Sequence, residues 1–324
     1  MSIARAMAIF RALVAAFLII AGPAYSQAFP SKSVRIIVPF PPGGPTDVAT
    51  RVIAQKASEN WGQPVLVVNM PGGNTFIGAE AVAKAAPDGY TLLMAIDSTL
   101  SMNPSLYQKL PYDPIRDFAP VTLTFWSPII LVVGADGPKT VKELIAYGKA
   151  NPGKLNYGAG TITNQLGGEL FKGQAGLDMV FVPYKGGPGP VQGLLTGEIQ
   201  VLIGAVTSSV PHIKSGKFRV LASLGTRPVP GLPDIPTLAD AAGLPGYDVA
   251  IWSGLVAPAA TRADIIQRLQ QEMVRVLSQQ DVKDRLFAVG LDPATNTPEE
   301  FGAFIKSEAA RWSKVIKQTA MKVE

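Results

Sequence analysis

The alternation of short β-branched runs with longer amphipathic stretches is the feature that most constrains the fold of this chain. In the first third it predicts strands and helices in turn, at residues 34–38, 47–61, 65–68, 78–86 and 91–95. Strands that alternate with helices pair in parallel, because each helix returns the chain over the sheet. The pattern therefore predicts an α/β fold with a mostly parallel sheet flanked by helices.

The same alternation returns in the middle third and predicts a second sheet. The predicted strands are 129–133, 155–157, 180–183, 201–203 and 219–223, with helices at 140–150, 165–174 and 190–196. A Pro- and Gly-rich stretch, an apolar segment and two helices follow at 225–246, 249–256, 262–279 and 298–319. We expect two domains, residues 27–127 with 248–324 and residues 128–247, with a ligand cleft between them.

The first 26 residues have the features of a secretory signal peptide. Arg5 and Arg11 precede an apolar run at 12–21, and small residues at 24–26 precede a cut before Gln27. Spanning a bilayer takes about 20 apolar residues, so the pattern favours a cleaved leader over an anchor. No cysteine lies near the cut to carry a lipid. We expect a protein exported to the periplasm.

Composition narrows the classes of function. The chain has no cysteine, so stability must come from burial and not from disulfides. Without the two leader arginines, the chain has 27 basic and 24 acidic side chains, which gives a net charge of +3. This mild excess favours anionic ligands. The basic residues form no stripe, which argues against nucleic acid as a partner.

A stiff Gly-rich loop at residues 38–47 is the most informative segment. Its prolines restrict the backbone, while Gly43 and Gly44 permit close approach or positive φ. The helix that follows begins with unpaired N–H groups, which suit a carboxylate or phosphate. The alternative is a tight turn in which Thr46 or Asp47 caps the helix.

Three further Gly-rich loops, at 69–74, 158–164 and 184–189, also follow predicted strands. In open α/β sheets ligands bind at the carboxyl ends of strands, where all four loops should lie. Because the loops come from two domains, we expect them to line a cleft between the domains. The P-loop pattern and Gly-x-Gly-x-x-Gly are both missing from the sequence. We expect no nucleotide, cofactor or metal.

The residues needed for catalysis are few, so an enzyme is not expected. The only histidine, His212, lies at the start of a predicted short helix, where a surface or capping role suffices. Ser253 is not part of the Gly-x-Ser-x-Gly motif of a nucleophile elbow, and it falls in a predicted strand. Two catalytic alternatives remain. Asp47 and Asp97 could form a carboxylate pair, although capping and turn roles also explain them. Lys185 could act as a catalytic amine, although an electrostatic contact with the ligand also explains it.

The chain resembles the periplasmic receptors of tripartite tricarboxylate transporters, the Bug-type solute-binding proteins. Collinear segments carry the resemblance through nearly the whole mature chain. They lie at 29–32, 37–44, 47, 61–65, 87–93, 110–113, 117–121, 150–155, 182–186, 233–237 and 252–258.

The resemblance implies a type II-like periplasmic binding protein of two domains that close around a carboxylate held partly through bridging waters. The implied ligand contacts are Phe40, Pro42, Gly43, Gly44 and Asp47 in the first loop, Asp97, Ser98 and Thr99 after the third strand, and Thr161, Thr163, Asn164, Tyr184, Lys185, Gly186, Ala205, Val206 and Thr207 in the second domain. We expect a monomer that contacts a membrane permease transiently.

Three departures from the family pattern bear on the ligand. Met70 stands where an arginine is common, Asn164 where a histidine is common, and Gly204-Ala205 where an acid often follows the strand. Without that acid a ligand ammonium lacks a partner, so a mono- or dicarboxylate without an amine is expected. A ligand-sensing subunit of a membrane kinase and a periplasmic enzyme on small organic acids are the alternative functions.

Overall fold

The computed structural model describes residues 29–319, and the leader predicted at residues 1–26 lies outside them. In the described part of the chain, two sheets are flanked by helices, which confirms the predicted α/β class. None of the helices there is long and apolar enough to cross a membrane.

The strands follow the predicted runs closely and include two that the sequence did not reveal, β4 and β11. In chain order they are β1 (Val34–Val38), β2 (Val65–Asn69), β3 (Thr91–Ile96), β4 (Phe118–Ser127), β5 (Ile129–Gly134), β6 (Leu155–Ala159), β7 (Met179–Pro183), β8 (Val201–Ala205), β9 (Phe218–Ser223), β10 (Ile251–Pro258) and β11 (Asp292–Pro293).

The helices mostly begin within a few residues of their predicted starts. In chain order they are α1 (Pro45–Trp61), α2 (Phe76–Ala83), α3 (Asn103–Leu106), α4 (Val141–Ala150), α5 (Ile162–Ala175), α6 (Pro188–Thr196), α7 (Val206–Lys214), α8 (Leu238–Ala242), α9 (Ala263–Ser278), α10 (Gln280–Ala288) and α11 (Pro298–Thr319). A π-helical turn, Ser98–Met102, leads into α3.

Both sheets are mixed, whereas the sequence predicted mostly parallel strands. The six-stranded sheet has the order β11-β4-β10-β3-β1-β2, and the five-stranded sheet has the order β7-β6-β8-β5-β9. Parallel pairing joins β1 to β2 and β3, and β6 to β7 and β8. Strands β5 and β10 are antiparallel to both of their neighbours, because each enters its sheet from the other one.

The chain crosses between the sheets twice, and the crossings run side by side. Pro128 alone separates β4 from β5, and residues 224–250 return the chain from β9 to β10. Leu224 donates a backbone hydrogen bond to the Ile129 carbonyl, and Val249 donates to the Leu224 carbonyl, both at 2.9 Å. The two halves are thus joined by a narrow paired connection.

Helix α11 packs against the cores of both sheets. Phe301 belongs to the cluster under the six-stranded sheet, and Trp312 to the cluster under the five-stranded sheet. Between them the Glu308 carboxylate accepts hydrogen bonds from the indole N–H groups of Trp252 at 3.2 Å and Trp312 at 3.1 Å. The helix that the sequence placed wholly in the first domain therefore contacts both halves.

Candidate functional site

The first Gly-rich loop joins β1 to α1 and is held from behind by Asp47. The buried Asp47 carboxylate accepts a 3.0 Å hydrogen bond from the Gly43 backbone N–H. Asn69, at the end of β2, donates from Nδ2 to Asp47 Oδ1 at 2.9 Å and to the Phe40 carbonyl at 3.0 Å. Arg51 donates to both Asp47 oxygens. Asp47 thus fixes the loop conformation.

Gly44 gives this loop an open face. The residue is buried and has an ordinary extended conformation, yet a Cβ built on it would meet no atom within 4 Å beyond its chain neighbours. Helix α1 begins at the next residue, Pro45. Its first N–H groups have no acceptor inside the helix and lie at the positive end of the helix dipole. Open space and donors therefore coincide, as carboxylate binding requires.

Asp97 follows β3 and is completely buried. Its Oδ2 accepts a 2.8 Å hydrogen bond from the Thr163 hydroxyl of α5, so the bond joins the two halves. Its Oδ1 has no hydrogen-bond partner among the described residues. Burial raises the pKa of the Asp97 carboxyl to about 8. Burial therefore favours the neutral form of this carboxyl group.

Ser98 and Thr99 continue from Asp97 into the π-helical turn, a geometry often found at functional sites. The Thr99 hydroxyl donates to Thr75 Oγ1 at 3.0 Å, and the Thr99 carbonyl accepts from the Tyr112 hydroxyl at 2.8 Å. Thr75 has φ +80°, which is unusual for a β-branched residue. Thr99 is thus held by the six-stranded half, and strained backbone lies directly behind it.

The first turn of α5 supplies polar groups from the five-stranded half. Thr161 caps the helix, because its hydroxyl accepts from the Asn164 backbone N–H at 3.2 Å. Thr163 and Asn164 are buried, and Asn164 Oδ1 has no hydrogen-bond partner in residues 29–319. Like Asp97 Oδ1, this amide oxygen is a buried acceptor that no described residue satisfies.

In the loop after β7, Gly186 contacts the loop after β6, whereas Tyr184 bonds elsewhere and Lys185 is exposed. Gly186 donates its N–H to the Gly160 carbonyl at 2.9 Å, which joins the loops after β6 and β7. The Tyr184 hydroxyl donates to Glu198 Oε2 at 2.7 Å. Lys185 is exposed and forms no ion pair within the described chain. The contacts assigned to Tyr184 and Lys185 thus receive no direct geometric support.

A group of hydroxyls lies where β8 meets α7. Ala205 and Val206 are buried, and the hydroxyls of Thr207, Ser208 and Ser209 have no hydrogen-bond partners among the described residues. Sequence reasoning included Thr207 but missed the two serines. Three consecutive hydroxyl residues, one position beyond the end of a strand, were the available signal. The same search would have missed Ser127, whose buried hydroxyl is also unpartnered in the described chain.

The loops of the two halves contact each other around these groups. A Cβ built on Gly186 would lie 3.4 Å from Pro41 Cδ, and one built on Gly43 would lie 3.9 Å from Pro188 Cγ. Gly187 packs between Pro45 and the Ser208 hydroxyl. Pro42 is exposed at the rim of the first loop, and Phe40 packs against the five-stranded core. The structure therefore brings the loops after β1, β7 and β8 close to one another.

The catalytic alternatives find little support in the geometry. Ser253 lies in β10 and donates to the Ala95 carbonyl at 2.7 Å. His212 lies in the last turn of α7, not at the start as predicted, because the helix begins directly after β8. Asp47 and Asp97 have separate sets of hydrogen-bond partners. In residues 29–319 no cluster of three metal-ligating side chains occurs.

Two α/β halves joined by a narrow paired connection, with polar groups between them, define a two-domain solute-binding protein. Residues 49–321 match the family model of the tripartite tricarboxylate transporter family receptor. The chain belongs to this family of solute-binding receptors, as the sequence resemblance indicated.

Similar proteins agree with this assignment. Protein BugT of Bordetella pertussis is 35% identical over 312 residues, which cover 94% of each chain. A solved structure of R. palustris Rpa4515 with adipate is 33% identical, has a TM-score of 0.87 and covers 91% of this chain and 99% of its own. MatC of Rhodopseudomonas palustris with bound malate is 32% identical, has a TM-score of 0.80 and covers 89% of this chain and 100% of its own.

Proposed function

We propose that this protein captures a small mono- or dicarboxylate in the cleft between its two halves and delivers it to a tripartite tricarboxylate-type membrane transporter. The observation that carries the proposal is the set of buried, unpartnered polar atoms on loops that contact each other. Asp97 Oδ1 comes from the six-stranded half, and Asn164 Oδ1 and Thr207 Oγ1 come from the five-stranded half. Buried polar atoms normally have partners, so a ligand with bridging waters accounts for them.

The carboxylate class follows from the first loop. Backbone donors at the start of α1 and the open space beside Gly44 favour an anion. Two structural relatives were solved with adipate and malate, both dicarboxylates. Gly204-Ala205, at the end of β8, stands where the family often has an acid, so a ligand ammonium would lack that partner here. A dicarboxylate without an amine is the preferred ligand.

Capture requires only binding and closure, and no bond is made or broken. We assign the moving bodies to residues 27–127 with 248–324 and to residues 128–247. The strands of the six-stranded sheet fall in the first set and those of the five-stranded sheet in the second. A ligand that contacts both halves stabilises the closed form, which the permease then recognises during a transient contact.

Export to the periplasm as a monomer completes the proposal. The family and the leader motif at residues 1–26 support export. Mass spectrometry of the protein released from the periplasm is expected to find Gln27 as the first residue. Retention of residues 1–26 on a membrane-bound protein would contradict the cleaved leader.

A thermal-shift screen against adipate, malate, monocarboxylates, amino acids and sugars tests the ligand class. A ligand present at 100 times its Kd adds about 2.7 kcal/mol to the free energy of unfolding. We expect shifts with carboxylates that lack an amine. Shifts with amino acids or sugars alone would contradict the proposed ligand class, and turnover of a carboxylate would favour an enzyme.

A further inference from the structure

A small apolar pocket lies where α7 meets the end of α10. Helix α7 follows β8 of the five-stranded sheet, and residues 230–232 of the connection from β9 to β10 lie beside it. Phe287 and Gly290 complete the pocket from the end of α10, just before β11 of the six-stranded sheet. Gly290 packs so closely on Val206 that a Cβ at this glycine would find no room. The pocket therefore lies at a direct contact between the two halves.

Helix α7 separates this pocket from the cleft loops. Val206, Val210 and Ile213 recur at the spacing of one helix face, and all three line the pocket. Ser208 lies two positions from Val206 and therefore on a different face. Its hydroxyl lies against Gly187 in the loop after β7. The same helix thus has the pocket on one face and a cleft loop on another.

The size and lining of the pocket suit a single ring. Its volume is about 170 Å³. An apolar cavity of about 150 Å³ is enough to bind benzene. Apart from Lys214, the lining consists of apolar side chains and glycine, and the Phe287 residue in it is 40% exposed. A ring that covers this surface is favoured by the hydrophobic effect.

Lys214 gives the pocket a positive charge. It is the charged residue among the described residues that line the pocket. It is exposed and forms no ion pair within the described part of the chain. A lysine can lay its carbon stem along apolar surface and keep its ammonium group in water at the edge. A ring with a negative group beside it therefore complements the pocket in shape and in charge.

We propose that this pocket is a second ligand site, which binds a small anion with a single apolar ring and thereby strengthens capture of the carboxylate in the cleft. The effect on capture rests on the proposed function. An occupant contacts both halves in the arrangement in which the cleft loops also contact each other. It therefore favours that arrangement over an open one, and the two ligands bind with positive coupling.

Calorimetric titration with benzenesulfonate tests the second site, because this anion has one ring and no carboxylate. Methanesulfonate lacks the ring and benzylammonium has the opposite charge, so neither should bind measurably. Lys214→Met keeps an apolar stem but removes the charge, which should weaken benzenesulfonate binding about two- to fivefold. The matched control is Lys217→Met, at an exposed position outside the pocket, which should bind as the wild-type protein does.

Ala288→Phe fills the pocket from an exposed position and should weaken benzenesulfonate binding by at least about tenfold. Its control is Ala310→Phe, exposed on α11, which should bind normally. Gly44→Ala should also bind benzenesulfonate normally, because its methyl group enters the cleft and not the pocket. The second site would be overturned by wild-type protein that does not bind benzenesulfonate, by binding that survives Ala288→Phe, or by binding that Gly44→Ala abolishes.

A second titration measures the coupling between the sites. Adipate should bind the wild-type protein at least about fivefold more tightly when benzenesulfonate is saturating, and Ala288→Phe should show no such change. Adipate affinity that stays level or falls in the wild-type protein would overturn the coupling. Failure of every carboxylate to bind would overturn the proposed function and the coupling together, whereas benzenesulfonate binding would still decide the second site.

Discussion

The Gly43 backbone N–H donates a 3.0 Å hydrogen bond to the buried carboxylate of Asp47, four residues ahead on α1. Resemblance to the family placed both residues in contact with the ligand. The geometry gives Asp47 a structural role instead, because Asn69 and Arg51 also donate hydrogen bonds to its carboxylate. The loop reaches the ligand through Gly44 and the start of α1, and Asp47 holds that shape.

Asp47→Ala is expected to loosen the first loop. The change removes the acceptor of the Gly43 N–H and of Asn69, which should lower the free energy of unfolding by about 1–3 kcal/mol. Carboxylate affinity should fall by at least about tenfold, because the donors of the loop lose their arrangement. Denaturant titration and calorimetry measure both effects.

Asp264→Ala is the matched control, since Asp264 also lies in the first turn of a helix beside an arginine but is exposed. Asp264→Ala should lower the free energy of unfolding by less than about 1 kcal/mol and leave carboxylate affinity unchanged. Equal losses in both variants would contradict the structural role of Asp47.

The stabilising effect of Asp47 should also disappear in acid. Burial acts to raise its pKa, but hydrogen bonds from Arg51, Gly43 and Asn69 together hold the pKa below its usual value. A lowered folded-state pKa gives stability above the unfolded-state pKa, near 3.8, and that stability is lost as pH falls through the folded-state value. The stability difference between wild type and Asp47→Ala should therefore shrink below about pH 4. A constant difference down to pH 2 would argue against the ionised carboxylate.

Gly44→Ala is expected to block binding while sparing the fold. Gly44 has φ −81°, which alanine adopts freely, and the added methyl group enters the open space beside the loop. We expect the melting temperature to stay within about 2 °C of wild type and carboxylate affinity to fall by at least about tenfold.

Gly173→Ala serves as the control for Gly44→Ala, because it also adds a methyl group in open space but lies on the exposed surface of α5. It should bind normally and gain about 0.5–1 kcal/mol from helix propensity. Undiminished binding by Gly44→Ala would remove the first loop from the site.

Asp97→Asn should change how stability depends on pH in the absence of ligand. The folded-state pKa, about 8, lies above the ordinary value of 3.8. The wild-type protein therefore loses stability as pH rises from about 4 to 8, by up to about 1.4 kcal/mol per pH unit, while the variant does not. Thermal or denaturant unfolding at several pH values measures the divergence. Parallel curves would contradict a raised pKa.

Glu308→Ala is expected to weaken the contact of α11 with β10 and to disturb the packing of Trp312 on the same helix. It leaves the buried indole N–H groups of Trp252 and Trp312 without their acceptor, at a cost of about 2–5 kcal/mol. Glu299→Ala, on an exposed position of the same helix, should stay within about 0.5 kcal/mol of wild type. Denaturant unfolding compares them, and similar stabilities would contradict a bridging role for Glu308.

The spacing of apolar residues predicted most helices and strands, because the buried face of each element requires apolar residues at regular intervals. Helix α11 was predicted with the bounds Pro298–Thr319, and β1 with the bounds Val34–Val38. Strand β4 was missed, since its run Phe118–Ser127 contains Pro120 and mixed polar residues. Strand direction was partly wrong, because antiparallel pairing of β10 depends on where the chain crosses between sheets.

The candidate site could be predicted only as a set of loops. Gly-rich composition located the loops after β1 and β7, and resemblance supplied individual residues. Which side chain faces the ligand depends on packing that sequence does not encode locally. Tyr184 contacts Glu198, Asp47 holds the first loop, and Ser208 lies against Gly187. The hydrogen bond between Asp97 and Thr163 joins residues 66 positions apart and had no signal in the sequence.

Calorimetric titration of wild-type protein and Gly44→Ala with a panel of mono- and dicarboxylates, including adipate and malate, tests the central claim most directly. The proposed function predicts saturable binding of one carboxylate per chain by the wild-type protein and at least about tenfold weaker binding by the variant. Wild-type protein that binds no carboxylate, or binding that Gly44→Ala leaves unchanged, would contradict capture of a carboxylate in this cleft.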